Sequence, residues 1–181
     1  VDISAILLSG MLTSLTSLCS LAIGSEKYSL AGLYVQIAVV VYLIVFAPVA
    51  ALWWLFMENA ILWLDFNEIV AAHGQDYVPF YVLSTMVGAI SSGVFALLDT
   101  SGCEKFSVIM ATSTSAVRFL SIFVGALLFD ADLRLVGMIC LAVDVTFLIG
   151  LISFVKYQGW LDDFIPGIFG QSMFANWEAV M

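Results

Sequence analysis

Two residues of opposite charge, Arg118 and Asp144, lie inside long apolar stretches of the chain. Arg118 precedes Ala131 by about 13 residues and Asp144 follows it by about 13, which at helical rise places both roughly 20 Å from that point. If the two stretches form antiparallel helices joined near Ala131, the charges lie at the same depth. An unpaired charge inside a bilayer is costly. The spacing therefore predicts an ion pair or a shared polar cavity.

Two interpretations of this pair remain open. In the functional one, the planar guanidinium of Arg118 binds a carboxylate or phosphate of a solute, and Asp144 neutralises Arg118 when the site is empty. In the structural one, the pair only fixes the register of the last two helices, a role for which buried ion pairs are often retained.

Hydroxyl side chains precede Arg118 by one to two helical turns. Thr112, Thr114 and Ser115 could line a polar cavity with the two charges. The predicted solute-binding residues are therefore Arg118, Asp144, Ser115, Thr114 and Thr112. The alternative is that these hydroxyls bond to their own helix and serve packing. Small residues at four-residue spacing favour such close helix contacts: Ser84, Gly88, Ser92, Ser107, Ala111 and Ser115.

The composition indicates what kind of protein positions these residues. Hydrophobic residues make up 63% of the chain and charged residues 10%, and the mean hydropathy is +1.12. Because a membrane helix needs roughly 20 mostly apolar residues, the chain predicts an all-α polytopic membrane bundle of about five transmembrane helices and one interfacial helix. The predicted spans are Ile3–Ile23, Leu30–Met57, Val78–Leu98, Phe106–Phe129 and Leu133–Val155.

The interfacial helix is predicted between Glu58 and Tyr77. Its acids recur near helical spacing opposite apolar residues, and it has no lysine or arginine. Helices on the anionic cytoplasmic leaflet are usually basic, so the segment is assigned to the opposite side. Lys27, Lys105 and Lys156 then share the other side, and the positive-inside rule predicts the N-terminus outside and the C-terminus inside.

The chain is interpreted as a transmembrane bundle at 1–159 followed by a tail at 160–181. The tail combines aromatic and acidic residues, which suits either a partner-docking segment or an ordinary interfacial anchor. Because the sequence begins at Val1 and lacks a basic leader, we expect it to be processed or part of a longer protein.

Other classes of function are disfavoured. A net charge of -9 with five Lys and Arg cannot form a basic surface for nucleic acid. No ionisable cluster suggests catalysis, so the chain is not expected to be an enzyme. The three cysteines are interpreted as packing residues. No cofactor is identified, although the single histidine, His73, could bind a pigment or metal with help from another chain.

The stretch from Pro79 to Tyr157 resembles the last three helices of drug/metabolite transporters, in particular the nucleotide-sugar and triose-phosphate translocator branch. The similarity is carried by Thr112–Leu120, by Gly125–Asp130 and by Gly137. Arg118 matches the second residue of that family's Lys-Arg pair, and Val117 stands at the first. The resemblance implies half of an inverted-repeat carrier for a small anionic organic solute, completed by a second half or a second copy.

The alternative is a non-catalytic accessory subunit of a large respiratory or photosynthetic membrane complex. Such a subunit would contact other membrane subunits as well as lipid, and an organelle membrane is then a candidate location. Transport predicts a water-accessible cavity around Arg118 and the hydroxyls, whereas an accessory role predicts dry packing of the same helices.

Overall fold

The computed structural model describes residues 3–129, 132–160 and 164, and this part of the chain is helical apart from short turns. Four of its helices are long and apolar enough to cross a membrane, namely those after the first. These features confirm the predicted all-α polytopic membrane bundle. The helices are α1 (Ile3–Gly24), α2 (Tyr28–Trp63), α3 (Glu68–Thr100), α4 (Glu104–Phe129) and α5 (Leu133–Tyr157).

The separate interfacial helix predicted between Glu58 and Tyr77 does not form. Its residues belong to the end of α2 and the beginning of α3, which are joined by a tight turn at 64–67. Asp65 takes the left-handed conformation with φ 64°, and the Asn67 side chain accepts a hydrogen bond from the Ile69 amide. The acidic residues do follow helical spacing. However, Asp65 ends one helix in the left-handed conformation that glycine usually adopts, and Asn67 caps the start of the next helix.

The α2–α3 hairpin is longer than a bilayer requires. At 36 residues α2 extends about 54 Å, against roughly 30 Å of hydrocarbon. Gln75 on α3 ties the two helices together near the turn. Its amide donates to the Trp54 carbonyl oxygen, and its side-chain oxygen accepts from the Glu58 amide at 3.1 Å. The Gln75 side chain thus binds the carbonyl of Trp54 and the amide of Glu58, which are hydrogen-bond partners in a regular α-helix.

Helix α3 lies at the centre of the bundle and contacts the other four helices. One apolar cluster joins α1, α2 and α3, a second joins α2 and α3, and a third joins α3 and α5 with residues of α4 around it. Helix α4 packs mainly on α5 and only lightly on α3. Helices α3 and α4 therefore contact each other less than either of them contacts α5.

Gly137 sets the contact between α5 and α3. A Cβ added there would lie 2.9 Å from Phe80 Cβ and 3.0 Å from a Tyr77 ring carbon, whereas a Cβ at Gly150, also on α5, would meet nothing within 4 Å. We therefore expect Gly137→Val to destabilise the protein by about 1 to 3 kcal/mol through overpacking.

Thermal unfolding in detergent would measure the effect of Gly137→Val. Gly150→Val is the matched control, because it imposes the same residue change on the same helix without a clash. Equal losses in melting temperature for the two variants would mean that the valine side chain weakens the helix itself and that the Gly137 contact is unimportant.

The predicted C-terminal tail lies mostly outside the described residues, including Phe169, Phe174 and Trp177. Within the described part, Trp160 packs against Phe106 and Phe154 at ring distances of 5.3 and 5.8 Å. Phe164 is buried in the cluster of α1, α2 and α3, and its ring meets Tyr28 edge-on at 5.5 Å. The chain after α5 thus returns to the start of α2.

Candidate functional site

Arg118 on α4 and Asp144 on α5 meet, as their mirrored positions predict. Arg118 Nη2 lies 3.6 Å from Asp144 Oδ2. Ser84 on α3 takes part in the same contact: its hydroxyl donates to Asp144 Oδ2 and accepts a hydrogen bond from Arg118 Nη2 at 3.3 Å. Three helices therefore meet at one polar cluster made by Ser84, Arg118 and Asp144.

The polar cluster lies in the wall of a cavity of about 440 Å³. A volume of this size can hold a drug-sized organic molecule. Each helix presents one face to it, since the lining positions recur at intervals of three or four residues. The lining residues are Tyr42 of α2; Tyr81, Ser84, Thr85, Gly88, Ala89, Ser91, Ser92 and Phe95 of α3; Ala111, Thr114, Ser115 and Arg118 of α4; and Asp144, Phe147 and Leu151 of α5.

Four of the five predicted solute-binding residues line this cavity, and the fifth, Thr112, does not. Thr112 is exposed on a different face of α4 because each residue turns the helix by about 100°. Thr114 and Ser115 also donate hydrogen bonds to Met110 and Ala111 carbonyl oxygens, so the predicted bonding to their own helix occurs as well. Their oxygen atoms keep acceptor capacity toward the cavity.

The small residues of α3 and α4 do not form the continuous close contact that their spacing predicts. Ser84 and Ser107 are buried, but Gly88, Ser92 and Ser115 are exposed at the cavity. A Cβ added at Gly88 would meet no atom within 4 Å. The reason is the light packing of α4 on α3, which leaves the middle of this helix pair apart.

The two charges are not equally accessible. The Arg118 side chain is 38% exposed, whereas that of Asp144 is 12% exposed. Both charges line the cavity, and the guanidinium is the more accessible of the two.

Sequence reasoning missed the role of Ser84 and the aromatic part of the wall. The spacing of Ser84 predicts only helix packing, and the aromatic lining residues resemble any other aromatic residues in apolar helices: Tyr42, Tyr81, Phe95 and Phe147. The face pattern on α3 indicates Tyr81 and Phe95, because they share a stripe with Ser84, Gly88 and Ser92.

Within the described residues no group of three or more His, Cys, Asp or Glu side chains could hold a metal ion. His73 is exposed on α3 near the hairpin turn. The three cysteines are free thiols, and two of them, Cys19 and Cys140, are buried.

Comparison with known families adds one finding. The family model MatE, for multidrug and toxic compound extrusion, matches residues 1–127, more than two thirds of the 181-residue chain. The chain belongs to the MatE family. Its members are membrane transporters and not enzymes, so this protein is an integral membrane protein of a transporter family. No curated protein and no solved structure matches the chain significantly.

The MatE match overturns the resemblance to nucleotide-sugar and triose-phosphate translocators. It covers the Thr112–Leu120 stretch that carried most of the similarity. Hydroxyl and small residues followed by one arginine satisfy the general demands of close packing and a polar cavity in membrane helices. Such a pattern does not distinguish one transporter family from another.

Proposed function

We propose that this MatE protein translocates small organic anions and that they bind in the cavity between α3, α4 and α5. The observation that carries the proposal is a half-exposed guanidinium in the wall of a cavity with aromatic and hydroxyl lining. A carboxylate of the solute would bind Arg118, and its apolar body would contact rings such as Tyr81 and Phe147. The family name, which refers to extrusion of toxic compounds, supports an organic solute.

We further propose that the described helices supply one side of the translocation path. Arg118 lies near the middle of a 26-residue helix and is 38% exposed, so hydrocarbon is an unsuitable neighbour for it. A second copy, or another part of a longer protein, would close the cavity and keep it hydrated. This arrangement would also permit alternating access, which needs two bodies that move against each other.

We also propose that the C-terminus lies on the cytoplasmic side of the membrane. Lys27, Lys105 and Lys156 lie at the end of the bundle formed by the α1–α2 turn, the α3–α4 turn and the end of α5. Arg134 lies at the opposite end. The positive-inside rule then favours the lysine-rich end as cytoplasmic.

The accessory-subunit interpretation predicts dry packing around Arg118, and no observation on the described residues favours it.

Cysteine accessibility tests the cavity. In a protein whose native cysteines are replaced, we expect Ser115→Cys to react with a membrane-impermeant thiol reagent and to be protected by an aromatic carboxylate. Phe119→Cys is the matched control, because Phe119 is 67% exposed on α4 but does not line the cavity. The thiol of the Phe119→Cys variant should stay unmodified, because it faces lipid that the reagent does not enter.

Two results would contradict the proposal. A Ser115→Cys variant that stays inert to the reagent in intact membranes would mean that water does not reach the cavity. Equal labelling of both variants, without protection by the carboxylate, would mean that α4 is exposed to water generally and that no solute occupies this face.

A further inference from the structure

Ser84 and Ser107 form the same bond in different surroundings. They are the two buried polar side chains of the described residues, and each serine hydroxyl donates to an aspartate of another helix. Ser107 of α4 binds Asp99 at the end of α3, away from the cavity. Ser84 of α3 binds Asp144 and in addition accepts from Arg118. Of these two contacts, the one at Ser84 includes a cation.

The ion pair between Arg118 and Asp144 is loose. The Nη2 to Oδ2 distance of 3.6 Å is longer than the roughly 2.7 to 2.9 Å of a charge-assisted hydrogen bond. The contacts of Arg118 with Ser84 and with Asp144 both use Nη2 and neither is bidentate. Asp144 in turn uses Oδ2 for both partners. The Ser84 hydroxyl and the Arg118 guanidinium therefore contact the same carboxylate oxygen.

We infer that Ser84 is a positioning residue that keeps Arg118 available to the solute. Its hydroxyl binds Asp144 Oδ2 and so hinders a direct, bidentate Arg118–Asp144 pair, which leaves the partly exposed guanidinium available in the cavity wall. Without the hydroxyl, the carboxylate is undersatisfied and draws Arg118 onto itself. The solute's carboxylate must then compete with Asp144 for the same N–H groups. This inference rests on the proposed function for its role in transport, but the geometry can be tested without transport.

The chain contains two arginines, Arg118 and Arg134, which makes a chemical test possible. Phenylglyoxal modifies guanidinium groups that are not held in tight ion pairs, and mass spectrometry can follow both arginines in one sample. We expect Ser84→Ala to slow modification of Arg118 by about tenfold, the factor that corresponds to one added charge-assisted hydrogen bond. Exposed Arg134 is the internal reference and should not change.

Matched variants separate this role from a structural one. Ser107→Ala removes the equivalent serine to aspartate bond and should leave Arg118 reactivity unchanged. Ser84→Thr keeps a hydroxyl and should restore reactivity. Adding Asp144→Asn to Ser84→Ala should also restore it, because the neutral amide no longer attracts the guanidinium. In transport assays, Ser84→Ala should raise KM for an aromatic carboxylate more than it lowers kcat.

Unchanged or faster modification of Arg118 in Ser84→Ala would overturn the inference, as would equal slowing in Ser107→Ala. These results differ from failure of the proposed function. Arg118 could prove unimportant for transport while Ser84→Ala still slows its modification. That result would support the positioning of Arg118 by Ser84 and contradict the anion-binding role of Arg118.

Discussion

Replacement of Arg118 by leucine is expected to reduce transport of an aromatic carboxylate to background, a loss of at least about 100-fold. That factor corresponds to about 3 kcal/mol of charge-assisted hydrogen bonding. Arg118 is the accessible charge of the cavity, and leucine fills similar space without any donor. Flux of a fluorescent carboxylate into proteoliposomes that contain the intact protein would measure the change.

Arg134→Leu is the matched control for Arg118→Leu. It removes the same charge and adds the same side chain, but Arg134 lies in the first turn of α5 and does not line the cavity. Arg118→Lys should retain part of the activity, because lysine keeps the charge but loses the planar fork. A correctly inserted Arg118→Leu protein that transports the carboxylate at the normal rate would show that the guanidinium does not bind the solute.

The helical bundle and the meeting of Arg118 with Asp144 could be predicted from the sequence because both depend on constraints local in the chain. Apolar length determines a membrane helix, and a short turn between two such helices fixes which residues face each other in depth. The residues that separate Arg118 from Asp144 therefore carried enough information to pair them. No other part of the site is specified so directly.

The rest of the site depends on how far neighbouring helices lie from one another. The hydropathy pattern does not encode those distances. Ser84 precedes Arg118 by 34 positions and Asp144 by 60, and nothing local indicates that its hydroxyl joins them. Thr112 differs from Ser84, because it belongs to the hydroxyl run but the helical period alone separates it from the rest of that run. Helical rotation places it nearly opposite Thr114, and it does not line the cavity.

Two other features could not be predicted from the sequence, namely the α2–α3 turn and the family. Asp65 adopts the left-handed conformation that glycine usually adopts, so the sequence predicts a separate interfacial helix from Glu58 to Tyr77 where the turn lies. The family was misassigned because the residues around Arg118 reflect general requirements of membrane helices. Only the comparison over residues 1–127 could distinguish MatE from other transporters.

The second large effect is expected from Asp144→Leu, which leaves Arg118 without its carboxylate. Removing one partner of a fully buried ion pair costs about 3 to 5 kcal/mol, and the loss here should be smaller because the Arg118 side chain is 38% exposed. The melting temperature in detergent and the yield of inserted protein should both fall. The loss should be smaller in Arg134→Leu, where the deleted charge is exposed at the end of a helix.

The double variant Arg118→Leu with Asp144→Leu distinguishes the two interpretations of the pair. Two well-packed leucines remove both charges, and such replacements are often neutral or stabilising, so stability should return to within about 1 kcal/mol of the normal protein. If the pair only fixes the register of α4 and α5, the restored fold should transport the carboxylate again. If Arg118 binds the solute, the double variant should be stable and inactive. Recovery of transport together with stability would assign the pair to structure alone.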